Sequence, residues 1–292
     1  MSESIRFCYF GGEPLGVPVL EELKAAGYVP SLVVTSPDRK AGRGQTLMPP
    51  PVKVWAESQD IPVWQPEGFS DREVVTRKLA DFDLFIVVAY NHILPEWLIE
   101  LPTHNSLNVH PSLLPLLRGA SPIRSAILKD MREQIGVSVM VLDAKMDHGP
   151  IIAQDRLEIA PEEWPVRGPA LDTTLAQQGG RLLAASLPGY LSGDLVPCEQ
   201  EHEYATYCSR FTKDDGALEL DPHNLPTGAD AYQLLLRIYA LMGNPSTYFM
   251  HREDRIKIND AAVDDTGQLQ LITVTPAGKP AQEFTVWLNN TT

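Results

Sequence analysis

Short apolar runs alternate with amphipathic stretches through the first half of the chain. That rhythm predicts strands at 5–10, 31–35, 61–64, 84–88, 106–109, 136–142 and 151–158. Between them, apolar residues at helical spacing predict helices at 15–26, 50–59, 71–80, 94–100 and 121–130. Ser70 with Glu73 reads as a capping box ahead of Val74 and Val75. A further helix is expected within 168–187, with Pro188 and Gly189 ending it. Strands interleaved with helices predict an α/β fold with a Rossmann-like, mostly parallel sheet.

The pattern changes near residue 190. The stretch 191–221 reads as a loose connector with one or two short strands, and 228–242 as a single helix carrying Ala231, Leu234, Leu235, Ile238 and Leu241. Short alternating runs follow at 246–251, 254–259, 268–275 and 282–288, with turns at 265–267 and 276–278. Such punctuation predicts a small β-barrel, OB-like in size. The expected organisation is a catalytic domain over 1–190, a linker over 191–209 and a C-terminal barrel over 210–292.

Length agrees with two domains, since 292 residues exceed one ordinary core. The longest apolar run, at 84–90, is strand-sized, so no bilayer-spanning segment is expected. With a strand predicted so close to the first residue, no signal or transit peptide is expected. Cys8, Cys198 and Cys208 show no C-x-x-C spacing, which predicts reduced thiols and a cytoplasmic location. The formal charge of −14 excludes a protein that grips nucleic acid over its whole surface. Contact with a polyanion would then need a local basic element, and Arg39, Lys40 and Arg43 form one.

Candidate chemistry centres on the run from Ser106 to Pro115. In a strand, Asn108 and His110 project on the same side, because side chains repeat every two residues. They come at a strand's carboxyl end, where open α/β sheets place ligands. Asp147 follows a later strand in the sequence Asp147-His148-Gly149. Together these types suit acyl transfer to an amine: Asn108 and a protonated His110 donate to the oxyanion, and Asp147 orients the imidazole. By residue type alone a second role stays open, in which His110 is a structural histidine and Asp147 a turn residue before glycine. No H-x-x-x-H or C-x-x-C spacing is present, so no metal is expected. Gly11, Gly12 and Gly16 resemble a glycine-rich turn without matching the dinucleotide fingerprint.

The run Asn108-Val109-His110-Pro111-Ser112-Leu113-Leu114-Pro115, continued by Arg118-Gly119-Ala120-Ser121-Pro122-Ile123, resembles the signature of folate-dependent formyltransferases, and Asp147-x-Gly149 stands at the family's distance behind it. The resemblance implies that Asn108, His110 and Asp147 are catalytic and that N10-formyltetrahydrofolate is the formyl donor. It also implies a pterin pocket from Val88, Ala89, Tyr90, Asn91, Ile93 and Leu94, with Ser112, Leu113, Leu114, Pro115 and Asp143. Residues 35–53 resemble the long loop of those members that formylate initiator methionyl-tRNA. In that light Arg39, Lys40 and Arg43 form a Gly-rich arm for the phosphates of an acceptor stem. A monomer is expected. Asn91 and His148 depart from many relatives, which have glycine and threonine there. Other readings are formyl transfer to an amino-sugar nucleotide, hydrolytic release of formate, and a catalytically silent tRNA- or folate-binding protein.

Overall fold

The structure is a computed structural model and describes residues 5–41 and 45–291. Its main sheet has seven strands: Phe7–Gly11, Leu32–Val34, Val63–Trp64, Leu84–Val88, Ser106–His110, Gly136–Val141 and Ile151–Arg156. The first five pair in parallel, with Phe7–Gly11 between Leu32–Val34 and Leu84–Val88. Gly136–Val141 runs antiparallel to both of its neighbours. The sheet is thus mostly parallel, at the positions the alternation predicts.

Both faces of the central strands are apolar because helices cover both. Phe7, Tyr9, Ile86, Val88, Leu107 and Val109 point to one face, where Val19, Leu20 and Leu23 of helix Gly16–Ala25, Val52 and Trp55 of Pro51–Ser58, and Leu183 and Leu187 of Gly168–Ser192 meet them. Cys8, Phe10, Phe85 and Val87 point the other way, onto Val75 and Leu79 of helix Arg72–Leu79 and onto Leu98. Asn108 and His110 belong to this second face by strand alternation.

Four local expectations are corrected. The third helix is capped by Asp71 rather than Ser70: its Oδ1 accepts the Val74 N–H at 3.1 Å. Pro188 and Gly189 lie inside the helix Gly168–Ser192, not at its end. An interior proline costs about 3 kcal/mol, and here packing outweighs it. Leu187 is fully buried, Tyr190 and Leu191 lie on the same core, and the Tyr190 hydroxyl donates to the His104 carbonyl at 3.0 Å. The run 282–288 is a two-residue strand, Gln282–Glu283, followed by helix Phe284–Asn289. Phe284 and Trp287 are three apart and both buried, a pairing a helix places on one face and a strand on opposite faces.

The fourth correction concerns the connector. Ile151 and Cys198 exchange backbone hydrogen bonds at 2.7 and 2.8 Å, and Thr206 N–H donates to the Pro115 carbonyl at 3.2 Å. Backbone partners, rather than side-chain patterning, tie this segment down, so its polar sequence hides its order.

The fold gathers into two compact units that interleave along the chain. One comprises Met1–Arg118, Gly136–Leu157 and Thr173–Thr206; the other comprises Gly119–Ile135, Glu158–Asp172 and Tyr207–Thr292. In the second, strands Tyr248–His251, Asp254–Val263, Leu269–Pro276 and Gln282–Glu283 pair antiparallel in sequence order. Helix Gly228–Ala240 buries Leu235, Leu236 and Ile238, and packs against helix Pro122–Leu128 and the sheet. Arg124 grips Asp172 with two hydrogen bonds of 2.6 Å, and Arg167 meets Asp260 at 3.0 and 3.2 Å.

Candidate active site

His110 ends its strand and is buried, with 6% of its side chain exposed. Its Nε2 lies 3.1 Å from the Leu117 carbonyl. A carbonyl can only accept, so Nε2 carries a proton and the imidazole is held in one orientation. Nδ1 is then the nitrogen left for chemistry, and it faces Asp147 Oδ1 at 3.6 Å. That separation is too long for a direct hydrogen bond. Asn108 is half-buried, and its carboxamide has no hydrogen-bond partner among the described residues.

Asp147 reaches this place by an indirect path. Because Gly136–Val141 is antiparallel to Ser106–His110, its last residue, Val141, pairs with Leu107 at the far end, while Ser138 pairs with His110. Three residues of rise, about 10 Å, separate the loop's departure point from His110. The loop therefore folds back over the sheet face. Leu142 packs on the second core cluster, and Asp147 adopts a left-handed φ of 50°. Gly149 is required at the return, since a Cβ there would lie 2.0 Å from the Val141 carbonyl oxygen.

The predicted site residues divide. His110 and Asp147 are brought together, with Asn108 beside them on the same face. Asp143 spends both oxygens on its own loop: Oδ1 accepts Lys145 N–H at 2.9 Å, and Oδ2 lies 2.6 Å from His148 Nδ1. Ser112 donates its hydroxyl to the Leu116 carbonyl at 2.6 Å, Leu114 is buried, and Leu113 packs over Gly136. With Pro115, whose carbonyl takes Thr206 N–H, these residues shape the loop that supplies Leu117. Val88 is fully buried, and the Ala89 carbonyl accepts N–H groups from Gly12 and Glu13 at 3.3 and 3.2 Å. Tyr90 packs edge-on against Phe10 at 5.7 Å, and burial holds its hydroxyl well above the ordinary phenol range. Leu94 joins the same core, Ile93 is 89% exposed, and Asn91 is hydrogen-bonded to Glu13.

The described flanks of the arm are strands. Arg39–Ala41 and Thr46–Met48 pair as an antiparallel hairpin, with Arg39 and Lys40 exposed and Leu47 and Met48 more than half exposed. Asp38 anchors its base, accepting from Gln65 Nε2 at 2.7 Å and from Lys53 Nζ at 2.9 Å; these bonds hold its carboxyl below the usual range. Arg43 lies outside the described residues.

Residues that sequence reasoning missed stand behind the pair. Gln200 Nε2 donates to the carbonyls of Asp147 and Gly149 at 3.0 and 2.7 Å, and its Oε1 accepts from Arg118 at 3.1 and 2.6 Å. Arg118 Nη2 also meets His202 Nδ1 at 2.8 Å, and the His202 ring stacks on His148 at 4.0 Å. Desolvation, then the nearby His148 and Arg118, favour the neutral form of His202 and lower its pKa. Arg118 was visible as part of a motif. Gln200 carried no signal, because its partners lie 51 to 82 positions away. Among the described residues, no group of three or more His, Cys, Asp or Glu is placed to hold a metal, and no helix is long and apolar enough to cross a membrane.

A model of the formyl transferase family matches residues 6–175. The methionyl-tRNA formyltransferase of Chloroflexus aggregans is 40% identical over 263 residues, which cover 90% of this chain and 82% of that protein. Among solved structures, a variant of HypX from Aquifex aeolicus superposes with a TM-score of 0.69 at 13% identity. The match takes in 99% of this chain and 48% of HypX, so the chain spans about half the length of that protein. A sugar N-formyltransferase from a Shewanella species superposes with a TM-score of 0.62 at 18% identity, covering 92% of this chain and 97% of that one. At these identities the two structures speak to the fold alone.

Proposed function

The chain belongs to the formyl transferase family, and from that premise we propose that it transfers the formyl group of N10-formyltetrahydrofolate to the amino group of initiator methionyl-tRNA. The observation that carries the chemistry is the pairing of His110 Nδ1 with Asp147 at 3.6 Å, beside the Asn108 carboxamide, which has no hydrogen-bond partner among the described residues. At that spacing the carboxylate faces the imidazole without being hydrogen-bonded to it, so Nδ1–H stays available to a substrate oxygen.

The amine nitrogen attacks the formyl carbon, and the carbonyl oxygen takes up the electron pair. Asn108 Nδ2 and the Nδ1–H of charged His110 donate to that oxyanion, each worth on the order of 10²–10³ in rate. Asp147 stabilises the imidazolium and receives the proton that the amine loses. Collapse of the intermediate expels N10 of tetrahydrofolate, which takes a proton. The Nε2–H bond to Leu117 fixes which ring nitrogen faces the reaction. No side-chain nucleophile is needed. Of the residues expected in the donor pocket, Asn91 and Ile93 keep exposed surface and would meet the folate; Asp143, whose oxygens hold its own loop, would shape the pocket with Val88, Tyr90 and Ser112 to Pro115.

The substrate is argued from two things: the 40% identity to a methionyl-tRNA formyltransferase over nine-tenths of the chain, and the exposed basic hairpin. The fold does not discriminate, since a sugar N-formyltransferase shares it. The reaction is that of a monomer in the cytoplasm, where initiator tRNA is charged. The test offers methionyl-tRNA and an amino-sugar nucleotide in parallel with N10-formyltetrahydrofolate, and follows formate release. Formylation of methionyl-tRNA alone is expected, with Asp147→Asn and His110→Ala each losing at least about 10²-fold in kcat. Preference for the sugar nucleotide, or formate without acceptor, would reassign the substrate; wild-type kcat in both variants would remove the pair from the chemistry.

A further inference from the structure

We propose that Gln200 is a positioning residue for catalysis, holding Asp147 opposite His110 from the segment that follows the helix Gly168–Ser192. The proposal rests on the reading of Asn108, His110 and Asp147 as the reacting groups.

The need for such a residue follows from the topology. The strand before Asp147 runs antiparallel to the one that carries His110, so its loop must double back about 10 Å along the sheet face. Asp147 sits at the turning point with positive φ. The loop's own side-chain bonds, from Asp143 to Lys145 N–H and His148, shape its first half. The half that follows Asp147 is gripped from outside. One carboxamide nitrogen has two hydrogens, and Gln200 gives one to the peptide oxygen of Asp147 and the other to that of Gly149, the two residues flanking His148.

The orientation of that amide is decided by Arg118. Gln200 is 5% exposed and Arg118 1% exposed, and the guanidinium donates twice to Gln200 Oε1. Turning the amide over would set its NH₂ against the guanidinium and its oxygen against two carbonyls, which replaces four hydrogen bonds with repulsive contacts at a buried residue. Arg118 adjoins Leu117, whose carbonyl fixes His110 Nε2 and whose N–H is held by Thr206 Oγ1 at 2.8 Å. Both halves of the catalytic pair are therefore set from one short relay. Leu117 orients the imidazole, and Gln200, braced by the next residue, places the carboxylate. The Nδ1 to Oδ1 spacing depends on this relay rather than on a bond between the two side chains. A displacement of about 1 Å in such a site costs up to roughly 100-fold in rate.

Gln200→Glu separates positioning from folding. The carboxylate keeps Arg118 partnered and has the same shape, but it has nothing to donate to the two carbonyls. The expected result is a kcat lowered roughly 10- to 100-fold, with KM for both substrates unchanged and the pH profile of kcat displaced. A merely structural role would lower the melting temperature and leave the kcat and pH profile of the folded enzyme alone. Gln200→Glu with wild-type kcat and pH profile overturns the proposal. Asp147→Asn in the same assay tells the two failures apart. If it is inactive while Gln200→Glu is unimpaired, only the role of Gln200 falls; if it is fully active, the catalytic reading falls and takes this one with it. Should Gln200→Glu unfold at the assay temperature, Arg118→Lys is read the same way. It keeps the charge and removes the paired donation to Oε1, so a lowered kcat at constant KM supports the proposal and a wild-type kcat overturns it.

Discussion

Gly149 shows how a single atom governs the site. An added Cβ would meet the Val141 carbonyl oxygen at 2.0 Å and the Asp143 nitrogen at 3.3 Å. Both are backbone atoms and cannot rotate away, so the loop itself must move. Gly149→Ala should destabilise the fold by about 1–3 kcal/mol, and it should lower kcat by displacing Asp147 two residues earlier. Thermal unfolding and single-turnover formyl transfer check this together. Unchanged melting and unchanged kcat would mean that the loop has slack the geometry denies. His110 is the complementary case. Its ring is locked by a backbone carbonyl rather than by another side chain, so Leu117 has a role that no substitution of its own side chain directly removes.

At the scale of elements, the turn 264–268 links the strands Asp254–Val263 and Leu269–Pro276 and is organised by one carboxylate. Asp264 accepts from the hydroxyl and N–H of Thr266, the N–H of Gln268 and the side chain of Gln270. These bonds, the Thr266 hydroxyl foremost, depress its pKa from 3.8 to about 2. A depressed carboxylate stabilises the fold above its unfolded value, and that stability is lost as the proton binds. Wild-type stability should therefore fall as the pH drops from 3.8 through about 2. Asp264→Asn should remove that part of the acid sensitivity, as read by urea unfolding across the range. Equal slopes in the two proteins would assign the acid sensitivity elsewhere.

Over the whole molecule, an acidic protein must meet a polyanion through local features. The net charge is −14, and the hairpin of Arg39–Ala41 with Thr46–Met48 projects Arg39 and Lys40. Arg39→Ala and Lys40→Ala should each raise KM for methionyl-tRNA and leave KM for the folate donor alone. The dependence of log(kcat/KM) on log salt should flatten by about one for each phosphate that is no longer neutralised. The same substitution at Arg43 is expected to act likewise. Parallel salt slopes in wild type and variants would make the hairpin an ordinary surface element and bring the amino-sugar nucleotide forward as substrate.

The alternation of apolar runs was enough to place all seven strands of the main sheet within a few residues, because strands covered on both faces carry a strong and continuous signal. The spacing of Asn108 and His110 was likewise local, and the family motif implied Asp147. Local sequence failed where the deciding partners were distant. Pro188 stays in its helix because Leu187 and Tyr190 pack on a core built from residues far earlier in the chain. The polar segment after residue 191 is ordered by backbone bonds to Ile151 and Pro115. Phe284 and Trp287 read as strand until the buried ring of Phe249, 5.6 Å from Trp287, favours one helical face. That Asp147 returns over the sheet, and that Gln200 and Arg118 meet it there, depends on the antiparallel run of Gly136–Val141. Side-chain pattern specifies which residues face a core, but strand direction and side chain to backbone bonds across fifty or more residues are set only when the chain is packed.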